Sequence, residues 1–275
     1  VPWLRPYLAA FAARFILTMQ YRAAALAGFV TQCWWGGLKV MIYAAFYAAP
    51  SAASAPLSLQ QVITYTWLAQ ATWALLPWQA DPEIAGAVRT GSVAYDRLRP
   101  VDTYAWWFAR ACAWLVARLV PRAGLMILAA GVALPLLGLE EWGWAPPATL
   151  EAAALFALSL TLGALLAAAI TMLINVCVTA TLTDRGINAM ASSVVIIFSG
   201  NLLPLSLFPD GMATVLLVQP FASLIDIPFR IYFGALAGTE AAAAIGLQVF
   251  WLLVTVAVGH AWLTGAMRKL QAQGG

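Results

Sequence analysis

The chain has 275 residues, of which 63% are hydrophobic and 9% charged, and its mean hydropathy is +0.85. A soluble domain of this length cannot hide so much apolar surface, so the solvent is a bilayer and a sizeable soluble domain is excluded. The net charge is only +3, and no basic tract alternates with exposed polar residues, which argues against nucleic acid as a partner.

Residues 2–20 read as an amphipathic helix. Leu4, Tyr7, Leu8, Phe11 and Phe15 share one face at helical spacing, flanked by Arg5 and Arg14. Such a helix lies flat in the cytoplasmic interface, so residues 1–22 form an interfacial segment; the alternative is the start of a long first span. Span 1 is predicted from about Ala23 to Ala48, with an external loop at Pro50-Ser51-Ala52-Ala53-Ser54-Ala55-Pro56. Span 2 follows from about Ser58 to Trp78, and residues 79–104 form the longest cytoplasmic segment. Residues 105–118 are apolar but carry Arg110 and Arg118, so they are expected to enter the membrane obliquely before span 3 runs to about Gly138. Glu140 to Pro147 reads as an external turn with interfacial tryptophans. Span 4 covers about Leu150 to Thr179, a short turn holds Asp184 and Arg185, and span 5 covers about Ile187 to Phe208. Residues 209–240 are too long for a turn and too apolar for an ordinary external loop. Two short helices dipping into the outer leaflet fit them, with Asp226 and Arg230 four apart and able to pair. Span 6 runs from about Ala241 to Met267. The expected fold is thus an all-α polytopic membrane protein with six transmembrane helices in one domain, residues 1–275. Twelve of the fourteen Lys and Arg fall on one side of that topology, which puts both termini in the cytoplasm.

Little in the chain can carry covalent chemistry. Cys33, Cys112, Cys177 and the lone His260 lack metal-ligand spacing. Ser199 and His260 are separated by roughly 8 Å in depth, out of reach for a dyad. Lys39 and Lys269 are the only lysines, and neither completes a phosphate-binding glycine loop. Aspartates and glutamates are confined to loops and segment ends, which disfavours the main alternative function, an ion-coupled secondary transporter.

Residues 81–91 form a well-punctuated short helix. Asp81 suits the N-cap, Pro82 the first helical position and Gly91 the left-handed stop. Ile84 and Val88 are four apart and are expected to make an apolar knob on the cytoplasmic surface, fit for a partner's groove; the alternative is a helix packed back on the bilayer. Glu83-Ile84, Val88-Arg89-Thr90-Gly91 and Leu98-Arg99-Pro100 resemble the cytoplasmic signature of ABC-2-type exporter permeases. Within that family the chain resembles the short six-span permeases that include viologen-exporter-like systems. Gln219-Pro220-Phe221-Ala222 and Ile227-Pro228-Phe229-Arg230-Ile231-Tyr232-Phe233-Gly234 resemble that group's external segment before the last span.

The resemblance implies a permease subunit of an ATP-driven exporter in the bacterial inner membrane. Residues 82–90 would be a coupling helix docked on a separate ATPase subunit, with Asp81, Glu83, Ile84, Val88 and Arg89 as its coupling residues. ATP and Mg would be bound by that ATPase, and no cofactor by this chain. A second permease, identical or paralogous, would complete a dimer whose interface carries a small amphipathic or toxic substrate past spans 1, 2 and 5. Asp at Ile84 or Val88 is then expected to leave the chain inserted but uncoupled.

Candidates for the route are Gln32, Lys39 and Tyr43 on span 1, Tyr65 and Thr72 on span 2, and Asn188, Ser192 and Ser199 on span 5; for the uncharged polar ones the alternative role is interhelical hydrogen bonding. Gln61 shares the span 2 face. Lys39 lies roughly 13 Å below the outer boundary. A cation there costs about 2.5–3.5 kcal/mol, so it faces a cavity or partner or else snorkels outward. Trp34, Trp35, Trp67 and Trp73 could line a cation-binding cavity or anchor the interface. Lys39 points the other way, toward an anionic or neutral substrate.

Overall fold

The computed structural model describes residues 2–49 and 55–269, so most of the loop expected at Pro50 to Pro56 lies outside them. Among the described residues every regular element is a helix. In lipid that is the conformation in which a lone segment bonds all its own backbone. The helices are α1 (Arg5–Met19), α2 (Arg22–Tyr47), α3 (Leu59–Thr72), α4 (Pro82–Thr90), α5 (Thr103–Leu136), α6 (Leu150–Thr181), α7 (Arg185–Phe198), α8 (Asp210–Val218), α9 (Asp226–Tyr232) and α10 (Gly238–Lys269).

Three of them, α5, α6 and α10, are long and apolar enough to cross a membrane. α2 has 26 residues, about 39 Å at 1.5 Å per residue, but its Gln32 and Lys39 with paired Trp and Gly dilute its hydropathy. α3 and α7 have 14 residues each, about 21 Å, short of a hydrocarbon core of about 30 Å.

Local chemistry explains where each helix stops. α3 starts on a reciprocal cap: Gln61 N–H donates to Ser58 Oγ, and Ser58 N–H donates to Gln61 Oε1. Gln61 is therefore a capping residue, not part of a polar face. α3 ends at Thr72 in a tight turn, Trp73–Leu75, earlier than the predicted Trp78. α7 ends at Phe198, not Phe208, because Gly200 takes φ +85° and Pro204 has no N–H with which to resume the helix.

α5 is one continuous helix, so residues 105–118 are its first half and not a separate entry. Asp102 caps it through the Ala105 N–H at 2.8 Å. Its turn Ile127–Ala133 is widened to i→i+5 bonding. There the Ala130 carbonyl would pair with position 135, which is Pro135 and has no N–H. The Trp144 N–H, 2.8 Å away, supplies the missing donor and fastens the loop after α5 to the helix wall.

α5 and α6 form the centre. α5 packs on α1, α2, α3 and α6, and α6 on α9 and α10 as well. Two contacts need glycine. A Cβ at Gly36 of α2 would come within 2.5 Å of the Trp67 ring on α3, and one at Gly163 of α6 within 2.9 Å of the Ser223 and Leu224 carbonyls. Gln248 of α10 bonds Ser159 Oγ at 2.8 Å and the Ser223 carbonyl at 2.8 Å, joining α10, α6 and the turn before α9. Asp226 does not pair with Arg230 but accepts from Tyr65 Oη at 3.0 Å and from the Leu205 N–H at 3.1 Å. Full burial of this carboxylate explains why it takes donors from the core and leaves the half-buried Arg230 at the edge.

The face of α1 also differs from the expected one. Ala10 and Arg14 are buried against α5, while Leu8 and Ile16 are exposed. Arg14 thus lies on the packed face, drawn there by carboxylates at the start of α4.

Candidate functional site

α4 has the expected caps. The Glu83 N–H donates to Asp81 Oδ1 at 2.9 Å, Pro82 opens the helix, and Gly91 closes it at φ +74°. Its charges are tied down from several sides. Arg14 Nη2 on α1 donates to Asp81 Oδ1 at 3.0 Å. Glu83 bridges Arg14 and Arg110 of α5. The amides of Asp81 and Ala80 donate to Asn175 Oδ1 on α6 and Asn188 Oδ1 on α7, each at 2.9 Å. Arg89 meets Asp184 at 3.1 Å. Burial pushes the Asp81 carboxyl up in pKa, and Arg14 and then Arg110 pull it back. Burial likewise lowers Arg14, with Asp81 opposing.

This clamp corrects the expected knob. Ile84 and Val88 are 2% and 5% exposed and belong to the apolar cluster that contains Trp107, Ile174 and Val178. With i, i+4 spacing both point inward, because the clamp fixes which side of α4 faces α6. The exposed side carries Pro82, Glu83, Arg89 and Thr90.

A second site lies between α2, α3, α5 and the end of α7, in a cavity of about 490 Å³. Gln32 and Lys39 of α2 line it. Lys39 does not snorkel: its Nζ donates to the Asn201 carbonyl at 2.6 Å, which is free because α7 has just ended. The other expected pathway residues are elsewhere. Tyr43 is half-buried farther along α2. Tyr65 is 2% exposed and bonded to the Gly200 carbonyl and Asp226. Thr72 Oγ1 donates to the Leu68 carbonyl at 2.8 Å and borders a separate apolar cavity of about 420 Å³ beside α5 and α6. Ser192 Oγ donates back to the Ala189 carbonyl, and the buried Ser199 Oγ accepts from the Asn201 N–H. Of the four tryptophans singled out, Trp35 and Trp73 border the α2 cavity. Trp34 is exposed, and Trp67 donates its indole N–H to the Trp142 carbonyl at 2.8 Å.

The cavity also holds residues that spacing did not single out: Arg118 and Arg122 of α5, Asn201 and Trp78. The signal was available in Arg118 and Arg122, one turn apart in an apolar run with Pro121 between them. Asn201 gave none, since its place depends on where α7 breaks.

His260 lies against Asp102 at 3.2 Å, while Ser199 is bonded at the end of α7, so the two serve different contacts.

A family model described as ABC-2 family transporter protein matches residues 37–274. No curated protein and no solved structure matches the chain. The matched span takes in the clamped helix α4, the α2 cavity from Lys39 onward and all three helices long enough to cross a bilayer. The chain belongs to the ABC-2 family of transporter proteins, the multi-pass membrane permeases of ABC transporters.

Proposed function

We propose that the chain is the permease subunit of an ATP-driven exporter, working as a dimer with a separate ATPase that binds ATP and Mg. The observation that carries this reading is α4. Its inner side is locked to α1, α6 and α7 by Arg14, Asn175 and Asn188, the half-exposed Glu83 at its edge pairs with Arg110 of α5, and Arg89 and Thr90 face outward. A short helix so held moves with the helices behind it, which is what a coupling element requires. The docking surface is then the side that carries Arg89 and Thr90, with Glu83 at its edge.

In this reading α2, α3, α5, α6, α7 and α10 are six spans with both termini in the cytoplasm of a bacterial inner membrane, α1 lies at the surface, and α8 and α9 dip into the outer leaflet. The short α3 and α7 reach through the bilayer with their non-helical continuations, which are tolerated where protein covers them. α2 and α7 turn apolar side chains outward, among them Trp34, Ile42, Met190 and Ile197, and a second permease would cover that face.

The test is a mild-detergent pull-down of the tagged chain from its native membrane, with mass spectrometry of what accompanies it. A P-loop ATPase in roughly equal amount is the expected result, and the same experiment shows whether the second permease is identical. Recovery of the chain alone, even after crosslinking at residues 82–90, would overturn the proposal.

A further inference from the structure

The α2 cavity, like the groove beside it that Arg22, Arg118 and Arg122 line, gathers cations without acids. Lys39, Arg118 and Arg122 all line it, and no Asp or Glu does. Among the described residues each ion pair lies elsewhere, and none of them includes Lys39, Arg118 or Arg122. The acid whose field touches Arg118 is Asp81, already bonded to Arg14 and to the Glu83 amide.

Arg118 Nη1, Asn201 Nδ2 and Trp78 Nε1 are buried with no hydrogen-bond partner, and Asn201 is only 3% exposed. Buried donors are nearly always bonded, and three orphans on residues that line one cavity are donors that an anion seated there would satisfy. Uncompensated cations in an apolar setting point to the same missing charge. An organic cation does not suit the site, because Lys39, Arg118 and Arg122 already line it and no carboxylate offsets them.

The shape adds the rest of the chemistry. Trp35, Trp73, Ile196 and Leu202 give the cavity apolar sides. Arg118 and Arg122 also border a groove of about 750 Å³ between α5 and the bend from α1 to α2. Its rim includes the exposed Val120 and Leu128, which lipid would cover. The two guanidiniums thus stand between the bilayer side and the inner cavity.

We propose that this cavity binds the anionic head of an amphiphile, a carboxylate, sulfate ester or phosphate ester on an apolar or aromatic body. Lys39, Arg118 and Arg122 hold the anion, the Asn201 amide and Trp78 indole donate to its oxygens, and the body rests on Trp35 and Trp73. Calling this ligand a transported substrate rests on the permease reading; the binding of an anion does not. The ligand comes either from solution or from the phosphate of a membrane lipid.

The experiment places the full chain, with whatever subunits accompany it, in phosphatidylcholine nanodiscs without nucleotide. The probes are 1-pyrenebutyrate and its cationic counterpart, (1-pyrenebutyl)trimethylammonium. Energy transfer from the cavity tryptophans to pyrene reads occupancy, with empty nanodiscs as the partition control. Saturable binding of the anion at least about tenfold tighter than the cation is expected. Lys39→Met and Arg118→Met should each weaken it by roughly ten- to hundredfold, the worth of a hydrogen bond to a charged group. Lys39→Arg, which keeps the charge, should retain it, and Arg5→Met on the exposed side of α1 should change nothing.

A second set of nanodiscs contains phosphatidylglycerol. Competition with the probe assigns the site to a lipid phosphate, and undisturbed binding assigns it to a free amphiphile; either supports an anion site. Equal or tighter binding of the cation, or wild-type affinity in both methionine variants, overturns it. No ATPase enters the readout, so a failure here leaves the permease reading standing, and a failed pull-down leaves this result standing.

Discussion

Arg110 and Arg118 lie on one helix, eight residues or about 12 Å apart, and meet opposite surroundings. Arg110 reaches Glu83 at the mouth of the α4 clamp, where Arg14 and Asp81 complete a group of two cations and two anions. Arg118 turns toward a cavity with two more cations and no acid. The clamp pairs each cation with an anion of the chain, although Arg14 Nε and Asp81 Oδ2 lack hydrogen-bond partners, so its energy belongs to folding. The cavity is an open set whose partners are not in the chain, so its energy belongs to binding. Reading a buried charge in a membrane protein therefore begins with whether its counter-charge is covalently present.

The two regions should break differently. Arg14→Ala leaves Asp81 buried without its partner, and removing one member of a buried pair costs about 3–5 kcal/mol. The expected outcome is a large fall in thermal unfolding temperature in detergent, or no recoverable protein. An unchanged midpoint would mean that the clamp does not hold α4. Ile84→Ala should cost about 2–5 kcal/mol, because the side chain is buried in the main core. Ile84→Asp, expected from spacing to be folded but uncoupled, should instead fail to fold. Arg89→Ala on the opposite side of α4 should leave the unfolding midpoint within about 1 kcal/mol, since its ion pair with Asp184 is exposed. It should still lower nucleotide-driven flux in reconstituted vesicles. Normal flux in that variant would move the docking surface off α4.

The same contrast explains what could be read from the chain. The long apolar helices α6 and α10, the caps at Asp81, Pro82 and Gly91, and the family signature around Glu83 and Val88 are local patterns, and sequence displays them directly. Which side of α4 faces inward is not local. It depends on Arg14, sixty-seven residues before Asp81, and on Asn175, ninety-four after it. The cavity was half legible. Gln32 and Lys39 announce themselves as polar groups in an apolar run. Tyr65 and Ser199 look the same in sequence but are consumed by Asp226, Gly200 and Asn201, residues brought near by the break after α7. Spacing identifies a polar stripe, and only tertiary contact tells whether its hydrogen bonds are already satisfied.

A smaller effect tests the α2–α3 wall of the cavity. Gly36→Ala puts a methyl within 2.5 Å of the Trp67 ring, with Gln70 at 3.1 Å behind it. Separating α2 from α3 should cost about 1–3 kcal/mol. It should also alter the cavity, since Gln70 and Lys39 line opposite sides of that contact. A stable variant with unaltered probe binding would show that α2 can shift without reshaping the site.

The smallest stability effect should come from the cavity cations themselves. Arg118→Met keeps most of the stem that packs along Trp114 and removes a charge with no counter-ion. Replacing buried ionic groups by apolar ones of similar size is often neutral or stabilising by about 1–4 kcal/mol. The loss of its cation–π contact, about 0.5–2 kcal/mol, pulls the other way, so the midpoint should move little or rise slightly. The comparison with Arg14→Ala uses two arginines that are both mostly removed from solvent, one paired and one not. If both variants lost the same stability, burial alone would govern these charges and the division into a closed clamp and an open cavity would fail. If only Arg14→Ala unfolds, the charge of Arg118 is kept for a ligand, because the fold gains nothing from it.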